Sequence, residues 1–315
     1  MNDQRPEPNA IIRFEGASKW YGNVIGLNKL DLSIPSGITG LLGPNGAGKS
    51  TFLQLATGQL RPSQGRVTVL GQTAWNNPAL GRQIGLCPEQ DAFYEWMTGR
   101  QFVAFCAQLS GMNPRAARSA AEAVLDRVGL AASMNRPIKG YSKGMRQRTK
   151  LAQALVHDPQ VLFLDEPLTG TDPVVRHELI QIIRQAAADG RTIVLSSHVL
   201  YEVEAITSHV VLINHGRLVA EGDTREIRDL IDTHPHRIVL KSTTLRSLAT
   251  RLVAFPDVLG IQLRQNDGSI LVETHQPDAF YERLPSLCLD EGLTIDELYS
   301  DDDSLEAVFK YLVAS

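Results

Sequence analysis

The string Gly43-Pro-Asn45-Gly46-Ala-Gly48-Lys49-Ser50-Thr51 constrains this chain more than any other feature. It fits the pattern G-x-x-x-x-G-K-[ST] and follows Ile38–Leu42, a short apolar run that predicts a strand. Thr51–Thr57 has helical spacing, and Gly58 ends it. A strand, a glycine-rich turn and a helix N-terminus in that order make a P-loop. Glycines let backbone N–H groups face a phosphate without side-chain obstruction, and the helix end adds positive potential. Gly43, Asn45, Gly46, Gly48, Lys49, Ser50 and Thr51 are therefore the candidate nucleotide contacts. Lys49 would carry a point charge to the outer phosphates, and Ser50 would offer a hydroxyl to Mg2+.

A second element has the complementary charge. Val161-Leu-Phe-Leu-Asp165-Glu166 is an apolar run ending in two carboxylates, as in a strand buried on both faces. In a P-loop fold it is expected to lie beside the P-loop strand. Asp165 would then hold Mg2+ through water, and Glu166, facing differently, would polarise the attacking water. Further strands are predicted at Val67–Leu70, Ile84–Cys87, Thr192–Ser196 and Val210–Asn214. Helices are predicted at Gln101–Leu109, Arg115–Val128, Lys143–His157 and Val174–Ala188. Strands alternating with helices argue for an α/β fold around a mostly parallel, covered sheet.

The pattern changes after His234-Pro235-His236. A strand (Arg237–Lys241), a helix (Thr244–Val253) and two strands (Val258–Arg264, Ser269–Thr274) follow, the last two joined by Asn266-Asp267-Gly268, a hairpin signal. A helix at Asp278–Cys288, an extended Thr294–Leu298 and a closing helix at Ser304–Leu312 complete a β-α-β-β-α-β order, that of a ferredoxin-like α+β module. Charge agrees with the division. Residues 1–230 hold 24 Lys and Arg against 21 Asp and Glu, whereas 231–315 hold 7 against 14. We therefore expect a nucleotide-binding domain over 1–230, with a helical part at about 91–160, and an accessory or regulatory domain over 231–315.

With 43% apolar and 21% charged residues, the composition excludes a disordered chain. A formal net charge of −4 argues against a protein built to coat nucleic acid, and no nucleic-acid partner is expected. No apolar stretch is long enough to span a membrane, and the N-terminus lacks the apolar core of a secretory signal. Cys87, Cys106 and Cys288 are too scattered for a metal site or disulfide framework, so a reducing cytosol is the expected setting.

The remaining motifs fall in the order of the ATP-binding cassette family, and the resemblance covers about residues 10–225. Tyr21, in Lys19-Trp-Tyr-Gly, resembles the aromatic residue that stacks on adenine. Gln90, in Cys87-Pro-Glu-Gln-Asp, resembles the Q-loop glutamine, which senses Mg2+ and the γ-phosphate. The apolar Phe93–Thr98 that follows is similar to segments lining the groove for a helix of the membrane partner. Tyr141-Ser142-Lys143-Gly144-Met145-Arg146-Gln147-Arg148 resembles the cassette signature, with Tyr, Lys and Met replacing the usual Leu, Gly and Gln. Its Ser142 and Gly144 stand before a helix and would face a phosphate. Gly170-Thr171-Asp172-Pro173 is similar to the D-loop, although Asp172 with Pro173 is also an ordinary helix N-cap. His198 resembles the switch histidine that contacts the γ-phosphate.

The resemblance implies a P-loop NTPase cassette with an antiparallel β subdomain and a helical subdomain. It implies ATP and Mg2+ as ligands, with Glu166, His198, Lys49 and Gln90 at the chemistry and Ser50, Gln90 and Asp165 toward the metal. Two cassettes would meet head to tail, each P-loop facing the partner's signature, as a homodimer or with a close paralogue. The implied role is the ATPase motor of an exporter whose integral membrane permease is a separate polypeptide. The chain would be cytoplasmic, held peripherally on the inner membrane face by that permease. The ending Asp303-Ser-Leu-Glu-Ala-Val-Phe-Lys310 is similar to the close of many export ATPases. A soluble cassette ATPase acting on ribosomes or DNA, or a nucleotide-gated regulator, remain the alternatives.

Overall fold

The computed structural model describes residues 10–224, 235–264 and 268–300 of the 315. They form two compact units that part after Asp223. The boundary expected at 230/231 falls within 225–234, outside the described residues, as does the helix expected at Ser304–Leu312.

The first unit opens with β1 (Ile12–Tyr21), β2 (Val24–Ile34), β3 (Ile38–Leu42), α1 (Lys49–Ala56), β4 (Gln64–Val69), β5 (Gln72–Thr73), α2 (Pro78–Gly81) and β6 (Ile84–Cys87). Helices α3 (Gly99–Leu109), α4 (Pro114–Arg127) and α5 (Lys143–Leu155) follow. The unit closes with β7 (Val161–Asp165), α6 (Pro173–Ala188), β8 (Thr192–Ser197), α7 (Leu200–Glu204), β9 (His209–Asn214) and β10 (Arg217–Asp223). One sheet is antiparallel, in the order β2-β1-β4-β5. The other runs β10-β9-β3-β8-β7-β6 and is parallel except for β10. Phe14 of β1 stacks on Phe52 of α1 with ring centroids 4.3 Å apart, inside one core that takes residues from both sheets. Helices α3, α4 and α5 pack on one another, and α5 also packs on β6 and β7.

Local chemistry explains the tight places. Gly40 lies mid-strand in β3, where a Cβ would stand 2.2 Å from Val203 of α7, so only glycine lets that short helix sit on the strand. Helix α6 starts where the sequence places an N-cap. The Asp172 carboxylate accepts from the N–H groups of Val174 (3.1 Å) and Val175 (3.0 Å), and Pro173 takes the first helical position.

Two expectations are corrected. The acidic strand β7 does not adjoin the P-loop strand β3, because β8 lies between and pairs with both. Nothing in the composition of three equally apolar strands marks their lateral order. The sequence reading also passes over β10, which pairs antiparallel with β9 after a tight turn at His215 (φ 46°) and Gly216 (φ 74°). As an edge strand with few apolar residues, Arg217–Asp223 carries too weak an alternation to read.

The second unit contains β11 (His236–Lys241), α8 (Leu245–Leu252), β12 (Val258–Arg264), β13 (Ser269–Thr274), α9 (Pro277–Glu291) and β14 (Glu297–Ser300). The sheet order is β12-β13-β11-β14, with every neighbouring pair antiparallel. This is the ferredoxin-like arrangement, in which each helix returns the chain to a non-adjacent strand. Ile238, Leu240, Ile270 and Val272 point from the sheet into a core closed by Leu248, Leu252 and Phe280 of the helices. The expected hairpin is present as the β12–β13 pairing of Arg264 with Ser269. Gly268 takes φ 67°, whereas Asn266 and Asp267 lie outside the described residues.

Candidate active site

Because β3, β7 and β8 are parallel neighbours, their C-terminal ends lie along one sheet edge, where open α/β sheets bind ligands. β3 delivers the P-loop there, β7 delivers Asp165 and Glu166, and β8 delivers Ser196 to His198.

In the P-loop, Gly46 (φ 82°) and Gly48 (φ 110°) take left-handed backbone. A Cβ on Gly48 would also stand 2.5 Å from the Gly26 carbonyl. Pro44, Asn45 and Gly46 are exposed, whereas Lys49 is only 7% accessible. Its Nζ donates to the Gly43 carbonyl (2.6 Å) and the Pro44 carbonyl (3.3 Å), and stands 3.6 Å from Glu166 Oε1. A buried ammonium held by its own loop is preset for a further oxygen ligand at the loop's mouth. Ser50 is exposed beside it on α1. Tyr21 reaches the same helix, its hydroxyl 3.4 Å from Thr51 Oγ1 and its ring under the Lys19 ammonium at 5.5 Å. Tyr21 is 44% exposed.

Glu166 is buried at the opposite side. Its Oε2 accepts from Thr169 Oγ1 (3.0 Å) and lies 2.9 Å from His198 Nδ1. Its backbone is left-handed (φ 48°), a cost of roughly 1–3 kcal/mol for a residue with a side chain. Two bonds hold it so. Glu166 N–H donates to Ser196 Oγ (3.0 Å), and Gln147 Nε2 donates to the Pro167 carbonyl (2.5 Å). The Ser196 hydroxyl in turn donates to Asp165 Oδ1 (2.6 Å). Burial raises the Asp165 pKa above the ordinary carboxylate value, and the Ser196 hydrogen bond pulls it back down.

The oxygen donors fit a hard divalent cation. Ser50, Asp165 and Gln90 are too few to make a cage. Among the described residues no group of three or more His, Cys, Asp or Glu could hold a metal. Mg2+ binds through a few protein oxygens and keeps waters and phosphate oxygens as its other ligands.

Gln90 is exposed just after β6, and a pair of cations the sequence reading did not single out secures its segment. Lys150 of α5, 4% accessible, donates to the Glu89 carbonyl (2.6 Å) and pairs with Asp91 (3.3 Å). Arg146, one turn earlier, pairs with Asp91 (3.5 Å) and Glu95 (2.9 Å) and lies over the Phe93 ring. Within the segment Tyr94 and Trp96 are exposed, at 50% and 71%.

Of the signature residues, Ser142 and Gly144 have their contacts within α5 and with α6. Ser142 caps α5, accepting from Met145 N–H (3.3 Å), and a Cβ on Gly144 would stand 3.0 Å from Val175 of α6. Tyr141 in place of the usual leucine is buried, and its hydroxyl donates to the Ser133 carbonyl (2.8 Å). Asp172 serves its own helix as the N-cap described above. Ser196, Thr169, Gln147, Arg146 and Lys150 are the site residues that sequence reasoning missed. The only signal was position: Ser196 lies two residues before His198, Arg146 and Gln147 lie inside the signature string, and Thr169 and Lys150 flank recognised motifs.

Residues 27–169 match the family model described as ABC transporter. The chain is 35% identical over 274 residues to the uncharacterized ABC transporter ATP-binding protein YxlF of Bacillus subtilis, covering 87% of this chain and 89% of that one. It is 32% identical over 291 residues to the Nod factor export ATP-binding protein I of Sinorhizobium fredii, covering 85% and 84% respectively. A solved ATP-binding subunit of an ABC transporter superposes with a TM-score of 0.64 at 25% identity, over 77% of this chain and 99% of that one.

Proposed function

Since this chain belongs to the ABC transporter family as an ATP-binding subunit, we propose that it is the ATP-hydrolysing motor of an exporter whose membrane permease is a separate polypeptide. The observation that carries this reading is the buried Glu166 carboxylate, held between the buried Lys49 ammonium and the exposed His198 imidazole. Export is supported by the relative whose name says export. A separate permease is supported by the relatives named as ATP-binding proteins, whose length this chain largely covers.

In the proposed cycle the loop amides and Lys49 hold the β- and γ-phosphates, and Tyr21 stacks on the base. Ser50, Asp165 and Gln90 would hold Mg2+, which would draw charge from the phosphate oxygens. Glu166 accepts a proton from the attacking water through the carboxylate that Thr169 and His198 aim. His198, 43% exposed at its side chain, presents its other ring nitrogen toward the γ-phosphate. Ser142 and Gly144, remote from their own loop in contact terms, serve the P-loop of a second cassette, a second copy or a close paralogue, across a head-to-tail interface. The segment Phe93–Thr98 passes the resulting motion to the permease. The second unit, which follows Asp223, is proposed as an accessory or regulatory domain. The protein works from the cytoplasmic side, attached through its permease.

The test is Glu166→Gln, which keeps the shape and removes the base. Mg-ATP turnover falls by about a hundredfold or more while ATP affinity stays within a few-fold. Wild-type turnover in the variant would refute the assignment.

A further inference from the structure

An ion pair joins the segment that follows β7 to the segment that follows β8, the two that meet at Glu166. Arg176, in the first turns of α6, places its Nε 3.3 Å from Glu202 Oε1 on α7. Its Nη2 donates to the Thr171 carbonyl (3.4 Å) and its Nη1 to the Tyr201 hydroxyl (3.2 Å), with the Tyr201 ring 5.9 Å away. The other Glu202 oxygen accepts from Ser197 Oγ (3.3 Å), which itself accepts from Val199 N–H (3.0 Å). Ser197 and Val199 are the neighbours of His198 on either side.

These contacts close a circuit. From Glu166 it runs through Thr169 to Thr171, crosses by Arg176 to Glu202, and returns through Ser197 and His198 to the same Glu166 oxygen. Glu202 is only 4% accessible, and burial raises its pKa against the pull of Arg176 and Ser197. A carboxylate buried on a helix of five residues would be costly without its guanidinium. The pair therefore sets where α7, and with it the His198 backbone, sits relative to α6.

We propose that Arg176 and Glu202 are positioning residues that hold His198 against Glu166 and make the segment before α6 and the segment before α7 move as one body. The proposal rests on the ATPase reading of the site above.

The experiment uses the full chain, with Glu202→Gln, Glu202→Asp, Arg176→Met and the double variant Arg176→Met/Glu202→Gln. Three readouts are taken: kcat and KM for Mg-ATP, the His198 ring 15N resonances in selectively labelled protein without nucleotide, and the thermal midpoint. Glu202→Gln and Arg176→Met each lower kcat by about tenfold with KM within twofold, and each moves the His198 Nδ1 resonance as its bond to Glu166 loosens. The double variant is no worse than either single one, and Glu202→Asp recovers most of the rate. Unchanged kcat, multiplicative losses or an unmoved resonance would each overturn the proposal. If Glu202→Gln fails to fold, Arg176→Lys, which keeps the charge and loses the fork, decides on the same readouts. A wild-type protein without turnover sinks the ATPase reading instead, and the nucleotide-free resonance still judges the pair.

Discussion

The two units are both layered from sheets and helices, yet they spend their buried polar groups differently. In the first, Lys49, Glu166, Ser196, Ser197 and Glu202 are all under 10% accessible and crowd one edge of the six-stranded sheet. In the second, the core of Ile238, Leu240, Ile270, Val272 and Phe280 is apolar. Of its ion pairs, Arg237–Glu273 and Lys241–Glu297 lie on the outside, and Arg283–Asp257 buries a single carboxylate. Strand direction accounts for the difference. Parallel strands end at the same edge, so β3, β7 and β8 bring three separate stretches of sequence to one place. Antiparallel neighbours end at opposite edges, which disperses whatever they carry. A parallel sheet gathers chemistry, and an antiparallel one with helices on a single face serves as a solid body.

The comparison breaks most easily at the second core. Phe280→Ala removes a fully buried ring that meets Phe255 and Tyr281 edge-on, and should cost about 3–5 kcal/mol. If the second unit is only a solid body, calorimetry shows one transition lowered, and ATP turnover of the protein below that transition stays as in wild type. Slowed turnover at an intact first transition would assign the second unit a part in the cycle. Lys49→Ala sharpens the other side. Turnover should fall by about a hundred- to a thousandfold, roughly the cost of losing one preorganised donor to the developing charge, while the second unit's transition does not move.

A smaller effect separates capping from contact. Asp172→Ala should lower the stability of the first unit by about 1 kcal/mol by freeing two N–H groups of α6, read from denaturant midpoints. Asp172→Asn, which still caps, should restore it. The smallest effect is in thiol reactivity. Burial pushes the Cys87 thiol up to about 12 and the Cys106 thiol up to about 11. Alkylation of native protein at pH 8 should therefore mark Cys288 in the second unit first and Cys87 last. Prior labelling of Cys87 would show that β6 opens readily.

Much of the site was legible because its residues act through local pattern. Gly43 to Thr51 is read from spacing alone, and Asp165-Glu166 from an apolar run with an acidic end. The second unit's strand and helix order was equally plain from alternation and turn residues. What escaped is set by tertiary geometry. That β8 separates β3 from β7 is decided by packing three strands of like composition. Ser196 matters because its hydroxyl lies between two carboxyl residues 30 positions away. Lys150 has no motif to mark it, and only the packing of α5 on β6 turns it inward to the Glu89 carbonyl. Gln147, read as part of a signature string, spends its amide on the Pro167 carbonyl.

The interposed strand has one more implication. Neighbouring strands stand about 4.8 Å apart, so placing β8 between β3 and β7 sets their tips roughly 10 Å from each other. That gap works as a ruler. Across it Lys49 still comes within 3.6 Å of Glu166. Had the two strands been adjacent, the phosphate loop and the acidic pair would leave the sheet only about half as far apart.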